Sequence, residues 1–238
     1  MAAPQQSFMA NRLLARLPEA DYQAVAPYLE FCDLPKGAVL ARQGEPVDHV
    51  HFPVSGIGSV VVVTAEGNRA EAGLFGFEGY VPAHAAAGIR KSPHEVIAQI
   101  EGGAYRLEFG IFVTLIDTNK AFRTLVQRSV AAFTIQLSHT AASNALHEVS
   151  ERLARWLLMC DDRIKGRQLP LTHEFMAIML AVRRPSVTTA LHILEGNRFI
   201  KAERSLITIR DREAMEEFAK DAYGGPEEQH RLLMEACL

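Results

Sequence analysis

Apolar and polar positions follow two different periods along this chain, and the change between them divides it. In the first half, short β-branched runs such as SVVVVT (59–64) and EVIAQI (95–100) are separated by glycines, and twelve of the 16 glycines fall at or before Gly110. Short strands punctuated by Gly turns predict a β-sandwich or barrel. Ahead of it, Asp21 is placed to cap a short helix running through Leu29, which leaves Pro35-Lys36-Gly37 as the turn into the first strand.

From Ile111 to Lys165 the chain has neither glycine nor proline. A segment that turned often would need both, so the pattern predicts one long helix, or two with a soft joint near Ser143 to Ser150. Phe122, Leu125, Val126, Ser129, Phe133, Gln136, Leu137 and Thr140 recur at spacings of three and four. Such a stripe serves either the chain's own core or a parallel helix pair between two subunits. Such stripes are usually core, while a long helix beside a small sandwich has little surface of its own to cover, which keeps the pair equally open.

Beyond Gly166 the period stays helical for two short segments and then shortens in RFIKAERSLITIR, where Phe199–Lys201 and Leu206–Ile209 suit a hairpin around 202–205. Helix, helix, hairpin is the order of a winged helix. Thr172 is a good N-cap for the first of these helices and a candidate DNA contact, and Glu174 suits its first turn. Ala177 is small where the second helix must come close, and Met176, Leu180, Val182, Val187 and Ala190 fall where the two would share a core. Pro185 belongs in the first turn of the second helix, since deeper in it would cost about 3 kcal/mol or more. That puts Arg183 and Arg184 at the helix start, where guanidinium groups can meet base edges or phosphate. Ser186, Thr188, Thr189 and His192 follow along the helix, and Arg204 and Ser205 stand at the hairpin tip, suited to phosphate.

Charge and composition sharpen this. The whole chain carries a formal charge of -3, yet residues 172–210 hold six Lys and Arg against three acids. A basic segment in a mildly acidic chain fits a local reader of nucleic acid rather than a general coat for it. No apolar run approaches a membrane span, and the N-terminus lacks a secretory signal's order, so a cytoplasmic protein is expected. Cys32, Cys160 and Cys237 show neither disulfide-framework nor zinc-knuckle spacing.

Over nearly its full length the chain resembles the Crp/Fnr family of bacterial transcription regulators. The resemblance is carried by GEPVDHVHFPVSGIGSVVVV, the Gly-free and Pro-free helix, ERLARWLLM, and LTHEFMAIMLAVRRPSVTTALHILE followed by a wing. It implies an α+β chain: a cupin-like or jelly-roll sensor resembling a cyclic-nucleotide-binding roll (1–117), a dimerisation helix and hinge (118–145), and a winged helix-turn-helix (146–238). It also implies a homodimer on a near-palindromic double-stranded operator, with RNA polymerase and a small-molecule effector as further partners and no membrane. The apolar stripe would then be the subunit interface.

In the sensor, family members that bind cyclic nucleotides carry a Gly-Glu start and a later Arg with Ser or Thr. Here Gly76, Glu78 and Gly79 remain, while Arg90 and Ser92 are what stands near the second motif, with Ser92-Pro93-His94 in its place. Those five are the candidate effector residues, and cyclic AMP is not the expected ligand. An iron–sulfur cluster of the Fnr type needs four cysteine ligands and the chain has 3 cysteines, so none is expected. His49, His51, His84 and His94 have no spacing that favours haem. In the recognition helix Arg184 matches the family's starting Arg, but Pro185 and Thr189 replace its Glu and second Arg, so the usual operator is not assumed.

Two other readings differ in class. His49 and His51 share one face of a strand, as in metal-dependent cupin enzymes, but Ser55 stands where those sites place a Glu. A winged helix that binds only proteins would leave the arginine pair without a purpose. The expected protein is a regulator and not an enzyme.

Overall fold

The computed structural model describes residues 3–164, 166 and 168–235; Cys237 lies outside them. Helices α1 (Arg12–Ala15) and α2 (Glu19–Val25) lead into strands β1 (Glu30–Leu34), β2 (Val39–Ala41), β3 (His49–Pro53), β4 (Ile57–Val63), β5 (Arg69–Phe75), β6 (Glu95–Ile100) and β7 (Gly102–Glu108). These form two antiparallel sheets, in the orders β1-β7-β3 and β2-β6-β4-β5. Then come α3 (Phe109–Thr118), α4 (Lys120–Leu146) and α5 (Val149–Asp161). The last part holds β8 (Gln168–Leu169), α6 (His173–Met179), α7 (Arg184–Gly196), β9 (Ile200–Glu203), β10 (Leu206–Ile209), α8 (Arg212–Ala219) and α9 (Gly225–Glu235).

The roll is where Gly spacing and β-branched runs place it, with two corrections at its entrance. The helix before it begins at Glu19 with Pro18 as N-cap, so Asp21 sits inside the first turn and favours the helix dipole rather than capping. Pro35-Lys36-Gly37 turns between β1 and β2, because β1 already begins at Glu30; Gly37 takes φ 84 there. Asn11 does more than punctuate. Its Oδ1 accepts from the Leu14 amide at 3.1 Å to cap α1, and its Nδ2 donates to the carbonyls of Pro53 and Gly79, both at 2.8 Å, pinning α1 to the roll.

The long helical segment is three helices. The joint near Ser143–Ser150 exists: α4 ends at Leu146, and Glu148 and Glu151 form a capping box that opens α5. A second break at Asn119 was not expected. Its side chain accepts from the Phe122 amide at 2.8 Å, and Asn is a cap residue that neither Gly nor Pro spacing reveals.

Four residues of the α4 stripe, Phe122, Leu125, Val126 and Gln136, face the chain's own interior, which removes those four from a subunit interface, while Ser129, Phe133, Leu137 and Thr140 are half-buried. Phe122, Leu125 and Val126 are almost fully buried in one core with Phe52, Tyr80 and Phe112. Further along, the Gln136 side chain accepts from the Leu74 amide at 2.8 Å and donates to the Leu74 carbonyl at 3.1 Å, continuing the sheet pairing of β5 onto the helix. Gly73 permits this approach, since a Cβ there would stand 2.7 Å from Gln136 Oε1 and 3.1 Å from Leu137. Ser129 and Phe133 line a cavity beside β5, and the Thr140 hydroxyl accepts from Arg155 at 3.1 Å. A second copy could meet Phe122, Leu125 and Val126 only after that core had opened.

Candidate nucleic-acid interface and sensor cavity

Helices α6 and α7 form the helix-turn-helix, with β8, β10 and β9 as a three-stranded wing. Thr172 caps α6 by accepting from the Phe175 amide at 3.2 Å. The turn closes through Val182 N–H to Ala177 O at 3.0 Å, beside Ala181, which carries φ 50. Sequence patterns rarely reveal such a strained position when the residue is not glycine. Val187, Ala190, Leu191 and Leu194 are buried, so α7 is fixed by one face and free on the other.

Arg183 is the N-cap of α7, Arg184 its first residue and Pro185 its second, as the proline predicts. Arg183, Arg184, Thr189 and His192 are exposed, and Thr188 and Ser186 are half-buried. Neither arginine makes an ion pair among the described residues. The hydroxyls of Thr188 and Thr189 bond back to the carbonyls of Arg184 (3.3 Å) and Pro185 (3.1 Å), so they must turn to meet a base. His173, absent from the sequence-based candidates, touches Thr188 Oγ1 through Nδ1 at 3.2 Å and braces α7 from α6. At the wing tip Arg204 is exposed and Ser205 adopts φ 59, while Lys201 is engaged by Glu203 at 2.6 Å.

The candidate effector residues separate into two groups. Gly76, Glu78 and Gly79 follow β5 together, and Glu78 and Gly79 line a cavity of about 420 Å³ bounded by α4 and α9. Glu78 Oε1 accepts from Arg163 Nε at 2.7 Å. Arg90 and Ser92 do not line that cavity: Arg90 pairs with Asp48 at 2.8 Å, and Ser92 is buried, donating to the His94 carbonyl at 2.7 Å. The two groups sit on different loops, a separation that motif spacing alone cannot reveal.

His49 and His51 stand with ring centroids 6.4 Å apart. Burial, with help from His49 and Arg106, pushes the His51 imidazole down to about 4. No group of three His, Cys, Asp or Glu among the described residues could hold a metal ion, so the geometry lends the cupin-enzyme reading no support.

A buried polar cluster, also missed from sequence, joins roll to winged helix. Trp156 Nε1 on α5 donates to Glu71 Oε1 on β5 at 2.8 Å, while Ser59 lies 2.6 Å from the other carboxyl oxygen and 2.8 Å from Gln99 Oε1. Burial pushes the Glu71 carboxyl up to about 7, against the opposing hydrogen bonds from Ser59 and Trp156. Around it, Ile57, Val61, Leu74 and Ile100 of the roll share one core with Trp156, Leu157 and the helix-turn-helix residues.

Comparison with known proteins agrees with this geometry. A cyclic nucleotide-binding domain model matches residues 31–119, and a Crp-like helix-turn-helix domain model matches residues 151–218. No curated protein matches in sequence. Among solved structures, a transcriptional regulator of the crp/fnr family from Eubacterium rectale superposes with TM-score 0.69 at 16% identity, covering 89% of this chain and 99% of its own. The c-di-GMP responsive regulator CLP of Xanthomonas campestris gives 0.66 at 13%, covering 81% and 99%. A CRP-family transcriptional regulator from Thermus thermophilus gives 0.65 at 20%, covering 79% and 96%. At these identities the structures share a fold, and the two domain models, matched in this order over most of the sequence, place the chain in the Crp/Fnr family of transcription regulators.

Proposed function

We propose that the protein is a homodimeric, sequence-specific DNA-binding regulator in which α7 enters the major groove and the roll senses a small molecule other than cyclic AMP. The observation that carries this reading is the pair Arg183–Arg184, exposed at the N-terminus of a helix whose opposite face is locked in the core, with no acidic partner among the described residues. A surface pair kept for solubility has no need of so rigid a base. A bidentate arginine–guanine contact discriminates by roughly 1–3 kcal/mol, and phosphate contacts from Arg204 and Ser205 would set the register.

A different face of α4 supports the dimer. Gln127, Ala131, Thr134, Ser138, Ala141 and Ala145 are all exposed and follow one another at alternating steps of four and three. That is a heptad seam of mostly small residues, on which two helices can approach closely. The Thr134 and Ser138 hydroxyls bond to the carbonyls of Val130 and Thr134, at 2.9 and 3.0 Å, so a partner covering them would leave no donor stranded. Cyclic AMP is disfavoured because Arg90, the residue near the place of the family's phosphate-binding Arg, pairs with Asp48 and does not line the cavity. RNA polymerase remains a partner suggested by family alone.

Binding of the purified protein to promoter fragments and to random duplex, each at two salt concentrations, tests this reading. Affinity should fall with salt, and Arg184→Ala should weaken promoter binding by about tenfold or more while changing random-duplex binding much less. Equal losses on both would reduce Arg184 to a phosphate contact, and salt-independent binding would remove DNA as the target.

A further inference from the structure

The cavity of about 420 Å³ lies in the range of small-molecule sites, and the residues closing it come from distant parts of the chain. Arg12 and Arg16 reach it from α1 and its C-cap, Arg163 from the turn after α5, and His230 from α9; Phe133 and Tyr80 supply apolar wall. Helix α9 belongs to no winged-helix element and packs back along α4, which brings His230 there.

The charges in this cavity are unequal in what they have left to offer. Its acids are partly engaged. Glu78 Oε1 takes Arg163 while Glu78 Oε2 is buried without a partner; Asp162 takes Arg212 at 2.7 Å and the Tyr223 hydroxyl at 2.8 Å; Glu227 accepts from the Gly224 amide at 2.9 Å. Of its cations, Arg231 is paired with Glu228 and Glu235, but others keep donors to offer. Arg12 and Arg16 have no acidic partner among the described residues, and the Arg12 guanidinium instead lies 4.5 Å over the Phe77 ring. Arg163, nine-tenths buried and lining the cavity, spends Nε on Glu78 and Nη1 on the Met159 carbonyl at 2.7 Å, which leaves Nη2 with no such bond among the described residues. Burial pushes the His230 imidazole below its ordinary range; Glu78 opposes this, while Arg163, Arg16 and Arg12 add to it. Arg12, Arg16, Arg163 and His230 thus line one cavity.

We infer that this cavity binds a small organic anion, a carboxylate or phosphate ester on an apolar body, gripped between Arg12, Arg16, Arg163 and His230 with Phe133 and Tyr80 against the body. Charge-assisted bonds from planar guanidinium groups suit both anions. Such a ligand would bridge the N-terminal helix, the start of the winged helix and α9, so occupancy would couple sensor to reader. That regulatory consequence rests on the DNA-binding reading above; the binding itself does not.

Calorimetric titration of the full-length protein without DNA tests the inference, with benzoate, phenyl phosphate and neutral benzamide as probes at constant ionic strength. At least one anion should bind saturably, one per chain, with benzamide weaker by roughly tenfold or more. Which anion binds tells carboxylate from phosphate recognition. The exposed pair Arg12→Ala/Arg16→Ala should lose about tenfold or more in anion affinity with its thermal unfolding unchanged, and Arg183→Ala/Arg184→Ala should bind like the parent. Absence of saturable binding by either anion would overturn the inference. So would binding that survives the loss of Arg12 and Arg16, or that disappears with Arg183 and Arg184.

Discussion

At the scale of single residues, Glu71 shows what a buried carboxyl between two domains does to the molecule. The folded carboxyl holds its proton up to about pH 7, whereas its ordinary value is 4.5, so between these the folded state binds more protons than the unfolded one. Stability therefore falls as pH rises from about 4.5 to 7, and the contribution present below that window is gone above it. Glu71→Gln keeps an acceptor for Trp156 and removes the titration. Urea unfolding at pH 5 and pH 8 should show the parent losing up to about 3 kcal/mol more than the variant over that interval. Matching losses in both proteins would mean that Glu71 does not titrate there. Phe122 gives a second test, since it lies at 0% exposure in a core with Phe52 and Phe112. Phe122→Ala should cost about 3–5 kcal/mol of unfolding free energy while leaving the dimer dissociation constant of the folded protein unchanged. A variant of normal stability but weaker association would restore Phe122 to a subunit interface.

At the scale of elements, α4 explains both the success and the error of reading the sequence. The three-and-four spacing of Phe122 to Thr140 identifies a helix and its buried face, because burial needs that period whatever the partner. It says nothing of which molecule supplies the partner; Gly73, Gln136 and the Leu74 backbone decide that, from 62 positions away in the case of the Gln136 bonds. The seam from Gln127 to Ala145 was equally present in the sequence, but small and polar residues carry no hydrophobic signal. Ala141→Glu sets like charges against each other across that seam. Sedimentation of this variant should show monomer at concentrations where the parent is dimeric, with helix content preserved; a persisting dimer would remove the seam from the interface. The helix-turn-helix was more legible, since Thr172, Pro185 and the buried spacing of Val187 and Ala190 each act within a few residues. The sensor was less so: Arg12, Arg163 and His230 meet only through tertiary packing.

At the scale of the whole molecule, roll and winged helix share a continuous core rather than a loose linker. Leu74 and Ile100 of the roll pack with Trp156 and Leu157, and the Glu71–Trp156 bond lies within this contact. An interface of this kind holds the winged helix in a defined place against the roll. Loss of the bond probes whether the two are coupled: Trp156→Phe should alter DNA affinity, measured on the same promoter fragments, by several-fold although Trp156 is buried. Unchanged affinity would confine Trp156 to packing. Selection of bound duplexes from a random pool tests whether two copies present paired recognition helices to DNA. It should enrich a near-palindromic sequence whose half-sites lie about 34–36 Å apart, lost with Arg184→Ala. Recovery of no preferred sequence, or of a single unpaired half-site, would contradict that pairing.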